Sequence, residues 1–455
     1  MEPTIFLDFN LPNSATWFYF SLLLTVALFF QFTRPFSIRN LDLLTLFVLF
    51  PGFLLLQEAH TLLRDASHLD IPLRKSSIER AEREIVFGYS WLLAGSLYWF
   101  VRAIIDLALV RRPVANPNLN TSGLAWLGIA LFFCLAAVAT RNTGDAIVPL
   151  PVGTRPLAIQ HVEESATAVV RETQNGVGRD TPPADLKFWV ERSLALSCHL
   201  AVAIGLLMIG WRHFQDLPAG VALGTLYLLV PYTAFHIGQF HIVLPAAFVT
   251  WAIFCYRKPM LSGWLLGLAA GSTFVPLLLF PLWLGFYAHR GAVRFALAFG
   301  SAVLLSLGVL GLALWWDGWL TSGLTMANVS EWLPWKRPQA ESLWTGVHGA
   351  YRLPIFVLYV GFVVVIAIWP SPKNLSHLVA LSAAVLIGVQ FWHADRGGVY
   401  VLWYLPLVLL MVFRPNLTGH EPPTIVTGSA FGWAGAAWRR VRQGRTISAS
   451  QELAV

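Results

Sequence analysis

Charge is what this sequence has least of. Only 12% of its 455 residues are Asp, Glu, Lys or Arg, about half the share usual in a soluble globular chain. With 56% hydrophobic residues and a mean hydropathy of +0.62, too little polar surface remains to face water on every side, which excludes a soluble single domain. Cysteine is nearly as scarce. Cys134, Cys198 and Cys255 all fall inside apolar runs, without a CxxC or His-paired spacing, so the sequence offers neither a disulfide framework nor a thiolate metal site. They read as small buried hydrophobes. No Lys or Arg lies between Glu2 and Asp8, so the first apolar run lacks the basic start of a cleavable signal and reads as a retained span. No nucleotide-binding Gly-rich loop is visible.

What the sequence does have is apolar runs, each near the roughly 20 residues that cross a hydrocarbon core about 30 Å thick. They fall near 17–33, 41–57, 86–109, 124–140, 189–211, 218–236, 240–256, 295–316, 353–370, 376–392 and 397–413. The fold class expected is therefore all-α: a polytopic transmembrane helix bundle of about 11–13 spans whose external loops carry short amphipathic helices. Residues 1–413 form a single transmembrane domain with external loops 58–85, 141–188 and 317–352, and residues 414–455 form a basic tail. A further apolar stretch between Arg257-Lys258 and Arg290 is too long for one span and is broken by Gly271-Ser272-Thr273 and Pro276. With both ends basic, it reads as a hairpin that enters the membrane and returns to its own side.

Basic residues in the short loops set the orientation. Arg34, Arg39, Arg111, Arg112, Arg212, Arg257, Lys258, Arg290, Arg294, Lys373 and the tail arginines share one side, which the positive-inside rule makes the cytoplasm. The same rule accounts for the net charge of +7 without nucleic acid. The chain is expected to be multi-pass in an inner or plasma membrane, with its polar loops outside. The segment 431–445, with Trp433 and Trp438 beside three arginines, suits a helix lying on anionic lipid.

Residues able to do chemistry gather in the external segments. Asp65 and Asp70 follow soon after a span, where a carboxylate could take a proton from a hydroxyl or hold a cation; a solvated mixed-charge helix is the plain alternative. Asp145 is the acid of its loop closest to the bilayer. In Phe235-His236-Ile237-Gly238-Gln239-Phe240-His241, two apolar helices meet with no room for a loop, so His236, Gln239 and His241 must bond one another, a ligand or the headgroup region. Lys336 and Arg337 stand beside Trp332 and Trp335, a mixture fit for a phosphate and a sugar face and equally for an interfacial tryptophan belt. His393, Asp395 and Arg396 offer a base and a phosphate ligand, unless the last two simply neutralise each other. Arg102 and Asp106, at i and i+4, read as a structural pair.

From Pro231 to Leu297 the chain resembles the GT-C superfamily of membrane glycosyltransferases, in its bacterial mannosyltransferase-like branch. The resemblance lies in the order of Pro231 to His241 with Gly238-Gln239, an apolar helix, Arg257-Lys258-Pro259, Leu261-Ser262-Gly263-Trp264-Leu265-Leu266-Gly267, a break, and a Pro-containing helix to His289-Arg290. Two positions depart from it: Phe240-His241 stand where the family usually has Asn, and Thr273 where it often has Lys. The resemblance implies a polyprenyl-phosphate-linked hexose as donor, a catalytic Asp or Glu in the first long external loop, here Asp65 or Asp70, and a site assembled from several loops. It implies membrane lipids as surroundings and no nucleic acid partner. No cofactor is required by the sequence, and a divalent metal is compatible with it. A multi-span transporter and a non-catalytic scaffold are the competing readings.

Overall fold

The computed structural model describes residues 14–68, 70–109, 117–140, 156–176, 182–288, 290–316 and 341–422. Among these every regular element is helical. In chain order they are α1 (Ser14–Phe29), α2 (Ile38–Thr45), α3 (Phe50–Ala66), α4 (Ile71–Ile105), α5 (Thr121–Thr140), α6 (Leu157–Gly176), α7 (Pro183–His213), α8 (Leu217–Leu229), α9 (Pro231–Phe235) and α10 (Phe240–Phe254). They continue with α11 (Pro259–Ser272), α12 (Phe280–Phe286), α13 (Ala292–Trp316), α14 (Leu353–Ile368), α15 (Leu375–Trp392) and α16 (Leu405–Phe413). Among the described residues seven helices are long and apolar enough to cross a membrane, and four shorter apolar helices accompany them. This architecture is that of a polytopic helical bundle and is compatible with a multi-pass membrane protein. Surface exposure follows the same logic. Large side chains such as Leu23, Trp126, Leu304, Leu358 and Ile368 are exposed along the outer helices, whereas α15 is buried on all sides at the centre.

Helix boundaries differ from the apolar runs in three instructive places. The run 41–57 is divided into α2 and α3, and α3 continues past Gln57 to Ala66. Most of the stretch 58–85 is consequently helical, with α3 ending at Ala66, α4 beginning at Ile71 and the two packed as a hairpin. Polar pairs such as Arg80 and Glu84, 2.8 Å apart at i and i+4, let the helix continue where the apolar run has ended. The run 397–413 becomes α-helical only at Leu405, after a 3-10 turn at Val401–Trp403, because Arg396 and Gly398 both take left-handed backbone angles (φ 52° and 98°) that break a helix at its start. The tail's first residues belong to the bundle. Leu375 N donates to His420 O (2.8 Å), and Arg290 Nη1 to Glu421 Oε2 (2.6 Å). The segment 431–445 lies outside the described residues.

Two arrangements set up the site. The first is the broken apolar stretch, which does fold back on itself. α11 runs alongside α13, a short 3-10 turn at Val275–Leu279 reverses it, and α12 returns until the Tyr287 hydroxyl donates to Tyr256 O at the stretch's start. Gly263, Gly267 and Gly271 form the face of α11 that meets Ala298, Ala302 and Ser306 of α13. Such a stripe of small residues lets two backbones approach closely in an apolar medium, where packing replaces the hydrophobic effect.

The second arrangement is a buried charge network at one end, here called the lower end. Asp42 on α2 accepts two bonds from Arg102 of α4, Nε–Oδ1 at 2.8 Å and Nη2–Oδ2 at 2.7 Å. Arg102 Nη1 also reaches Asp106 Oδ1 (3.0 Å), whose Oδ2 accepts from Arg414 Nε (2.8 Å). Arg414 Nη2 finishes its bonding on the carbonyls of Asp106 and Leu109. The pair read from sequence is thus the middle of a four-member chain, with each side chain no more than 7% exposed.

Candidate functional site

The opposite, upper end is where separate polar segments meet. α15 ends at Trp392, and the chain reverses through His393-Ala394-Asp395-Arg396-Gly397-Gly398. The reversal needs both glycines: a Cβ on Gly397 would strike Gln390 O, and Gly398 has a positive φ. Arg396 adopts φ 52° without being glycine, a conformation that costs about 1 kcal/mol or more and persists only where its surroundings hold it. Here the restraints are visible. Its amide donates to Glu341 O (3.1 Å), Gly398 N donates to Gln390 Oε1 (2.8 Å), and the His393 ring bonds Asp395 O through Nδ1 (2.6 Å). Burial pushes the His393 imidazole below its ordinary range, against the opposing pull of the Asp395 carbonyl and carboxylate.

Segment 341–352 is stapled over this turn. Trp344 Nε1 donates to Phe391 O (3.2 Å), the fully buried Arg352 reaches Trp392 O (3.4 Å), and Ser342 and Thr345 bond each other across a tight turn. α3 and α4 close the set from the other side. His60 Nε2 lies 3.3 Å from Glu341 Oε2, and the buried Tyr89 feels the charges of Arg396, Glu341 and Asp395. Arg396 Nη1 and Gln390 Nε2 are buried and make no hydrogen bond. A buried guanidinium nitrogen left unsatisfied is expensive, so these atoms mark where a ligand's oxygen would be bound best.

The turn 236–241 adds a neighbouring wall, joined to the first set by residues 401–403, which pack against α9 and α10. His236 is buried, bonds Gln239 Oε1 through Nδ1 (2.7 Å) and lies edge-on to Phe53. His241 is buried in the first turn of α10. A side chain at Gly238 would have to displace Arg192 of α7, whose guanidinium lies directly on it.

Searches against protein-family models, curated proteins and solved structures match nothing. Function must therefore be read from the site.

The structure brings His393, Asp395 and Arg396 together in one buried turn and sets His236, Gln239 and His241 in the next. Asp65 and Asp70 are exposed at the tip of the α3–α4 hairpin, where Asp65, on the same helix as His60 and little more than a turn beyond it, pairs with Arg64 (3.3 Å). Asp70 precedes α4, and from there to Tyr89 the same helix rises about 28 Å, so Asp70 is far above the buried turn. Asp145, Lys336 and Arg337 lie outside the described residues. Among the described residues no group of three His, Cys, Asp or Glu side chains is placed to hold a metal ion. An open groove of about 540 Å³ between α1 and α3, with Gln57, Glu58 and Thr61 on its wall, is separate from the buried turn.

Sequence reading missed His60, Tyr89, Arg192, Glu341, Arg352 and Gln390. For Glu341 a signal did exist: it is the only acid from residue 332 to residue 394, a long interval in which a solitary carboxylate invites a reason. The others carried none, since each is an ordinary residue within or beside an apolar run.

Proposed function

We propose that this chain is an integral-membrane glycosyltransferase of the GT-C type, moving a mannose-like hexose from a polyprenyl-phosphate donor to an acceptor hydroxyl at the external face. The observation that carries the reading is the meeting at one end of segments 341–352 and 391–396, distant in sequence, with buried cations beside carboxylates and an unsatisfied Arg396 Nη1; α9 and α10, which flank 236–239, pack against the following residues 401–403. The returning hairpin of α11 and α12 supports it as well, since the resemblance included that hairpin.

In this reading the upper end is external and the chain crosses the membrane about 11–13 times, using the shorter apolar helices beside the seven long ones. The acceptor oxygen attacks the anomeric carbon, the bond from that carbon to the phosphate oxygen breaks, and a carboxylate takes the hydroxyl proton. Arg396, with Arg352 and the histidines of the two turns, offsets the charge developing on the departing lipid phosphate. No cation stands at Thr273 in the hairpin break, so phosphate binding falls to the turn instead. The resemblance would put the proton acceptor at Asp65 or Asp70, both of which are open to solvent. No cofactor is needed for these steps, and a divalent metal is compatible with them.

Membranes containing the chain should transfer radiolabelled mannose from polyprenyl-phosphate mannose to an endogenous acceptor, while membranes lacking it should not. Absence of transfer from every lipid-linked hexose tried would leave a transporter or a scaffold as the better reading. Orientation has its own test. Ser67→Cys, in a background without the three native cysteines, should be labelled by a membrane-impermeant maleimide in intact cells; labelling only after lysis would reverse the topology.

A further inference from the structure

We infer that Glu341, held by His60, is the group that takes the acceptor proton. The inference rests on the proposed glycosyl transfer and names a residue of that same site. Its basis is the direction of the His60 hydrogen bonds. His60 Nδ1 lies 2.8 Å from Leu56 O, and a carbonyl oxygen only accepts, so Nδ1 carries a hydrogen. In the neutral ring Nε2 then has a bare lone pair, and it faces Glu341 Oε2 at 3.3 Å. Both atoms are buried, and neither makes a completed hydrogen bond. Between them is a seat for one proton, wanted by an oxygen and by a nitrogen together.

The rest of the carboxylate is placed for use. The Glu341 side chain is 37% exposed although Oε2 is buried, so part of it stays accessible. Its backbone is fixed by the Arg396 amide, which links it to the cation with the unsatisfied Nη1. Proton acceptor and phosphate ligand are thus positioned from one bonded segment. Tyr89 of α4 is near enough to Glu341, Asp395, Arg396 and Tyr400 to interact with them electrostatically; Glu58, Arg80 and Glu84 lie on the α3–α4 hairpin that carries His60.

The step balances. The acceptor oxygen gains a bond to the anomeric carbon, the anomeric carbon loses its bond to the phosphate oxygen, and polyprenyl phosphate leaves with that electron pair. The hydroxyl proton passes to Glu341 and is shared with His60 Nε2.

The test uses full-length protein in membranes, with polyprenyl-phosphate mannose as donor. Glu341→Gln, nearly isosteric, should lower transfer about 10²–10⁴-fold. His60→Gln should lower it less. Formate should restore part of the activity of Glu341→Ala, which a misfolded protein would not allow, and Glu82→Gln, exposed on α4, serves as the active control. Parent-level transfer by Glu341→Gln, or a failure of formate to rescue Glu341→Ala, overturns the assignment, as does a comparable loss confined to Asp65→Asn or Asp70→Asn. A parent that transfers from no lipid-linked donor removes the proposed function and the role of Glu341 together.

Discussion

Arg102→Met should destabilise the folded chain by about 3–5 kcal/mol, read as a lower apparent unfolding midpoint in detergent. Arg102 contributes three charge-assisted bonds, two to Asp42 and one to Asp106. Its loss leaves the two aspartates unequally affected. Asp106 keeps Arg414, whereas Asp42, 2% exposed, loses the guanidinium that holds both of its oxygens. An uncompensated carboxylate at such depth costs far more than the pair itself was worth, because desolvation is no longer offset. The companion variant makes the argument testable. Asp42→Leu combined with Arg102→Met removes both charges and should recover most of the loss, since apolar groups of similar volume can replace a buried ion pair at little cost. If the double variant is as unstable as Arg102→Met, the network stabilises by some route other than mutual neutralisation.

The second large effect is expected at the α11–α13 contact. A Cβ on Gly267 would lie 2.6 Å from Phe299 O and 2.7 Å from the Ala302 Cβ, and one on Gly263 would lie 2.5 Å from Phe295 O. The obstacle is mainly helix backbone, which cannot rotate away as a side chain does. Overpacking of this kind costs roughly 1–3 kcal/mol at a single site, and Gly263→Ala with Gly267→Ala should cost more than either alone, as neighbours on one face. α13 supplies its own control. A Cβ on Gly308 or Gly311 meets nothing among the described residues, so Gly308→Ala should be neutral or gain up to about 1 kcal/mol in helix propensity. Apparent unfolding midpoints of the four variants decide the matter: equal tolerance at 267 and 308 would mean that the helices are not in backbone contact.

How far such features could be read in advance depended on sequence distance. The long apolar runs, the hairpin with basic ends and the Arg102–Asp106 pair were legible because each is a local pattern with a physical period or spacing. Asp42 and Arg414 were not, because their partners are 60 and 308 residues away and only the packed bundle brings them together. The same limit applied at the upper end. The turns at 236–241 and 393–396 stood out as polar groups between apolar helices, and the structure links them only through residues 401–403, which pack against α9 and α10. His60 and Glu341 come from different ends of the chain, so nothing in either segment announced the other. The acids of 58–85 were legible as acids but not as residents of a hairpin tip, since helix continuation past an apolar run depends on side-chain pairs such as Arg80 and Glu84 rather than on hydrophobicity.

The folding back of α11 and α12 has a counting consequence. An insert that leaves from and returns to the same end contributes zero to the parity of crossings, so everything after Arg290 keeps the sidedness it would have if residues 259–289 were absent. Long as it is, the hairpin is silent in the topology of the chain, and its packing against α13 can change without turning a single later segment over.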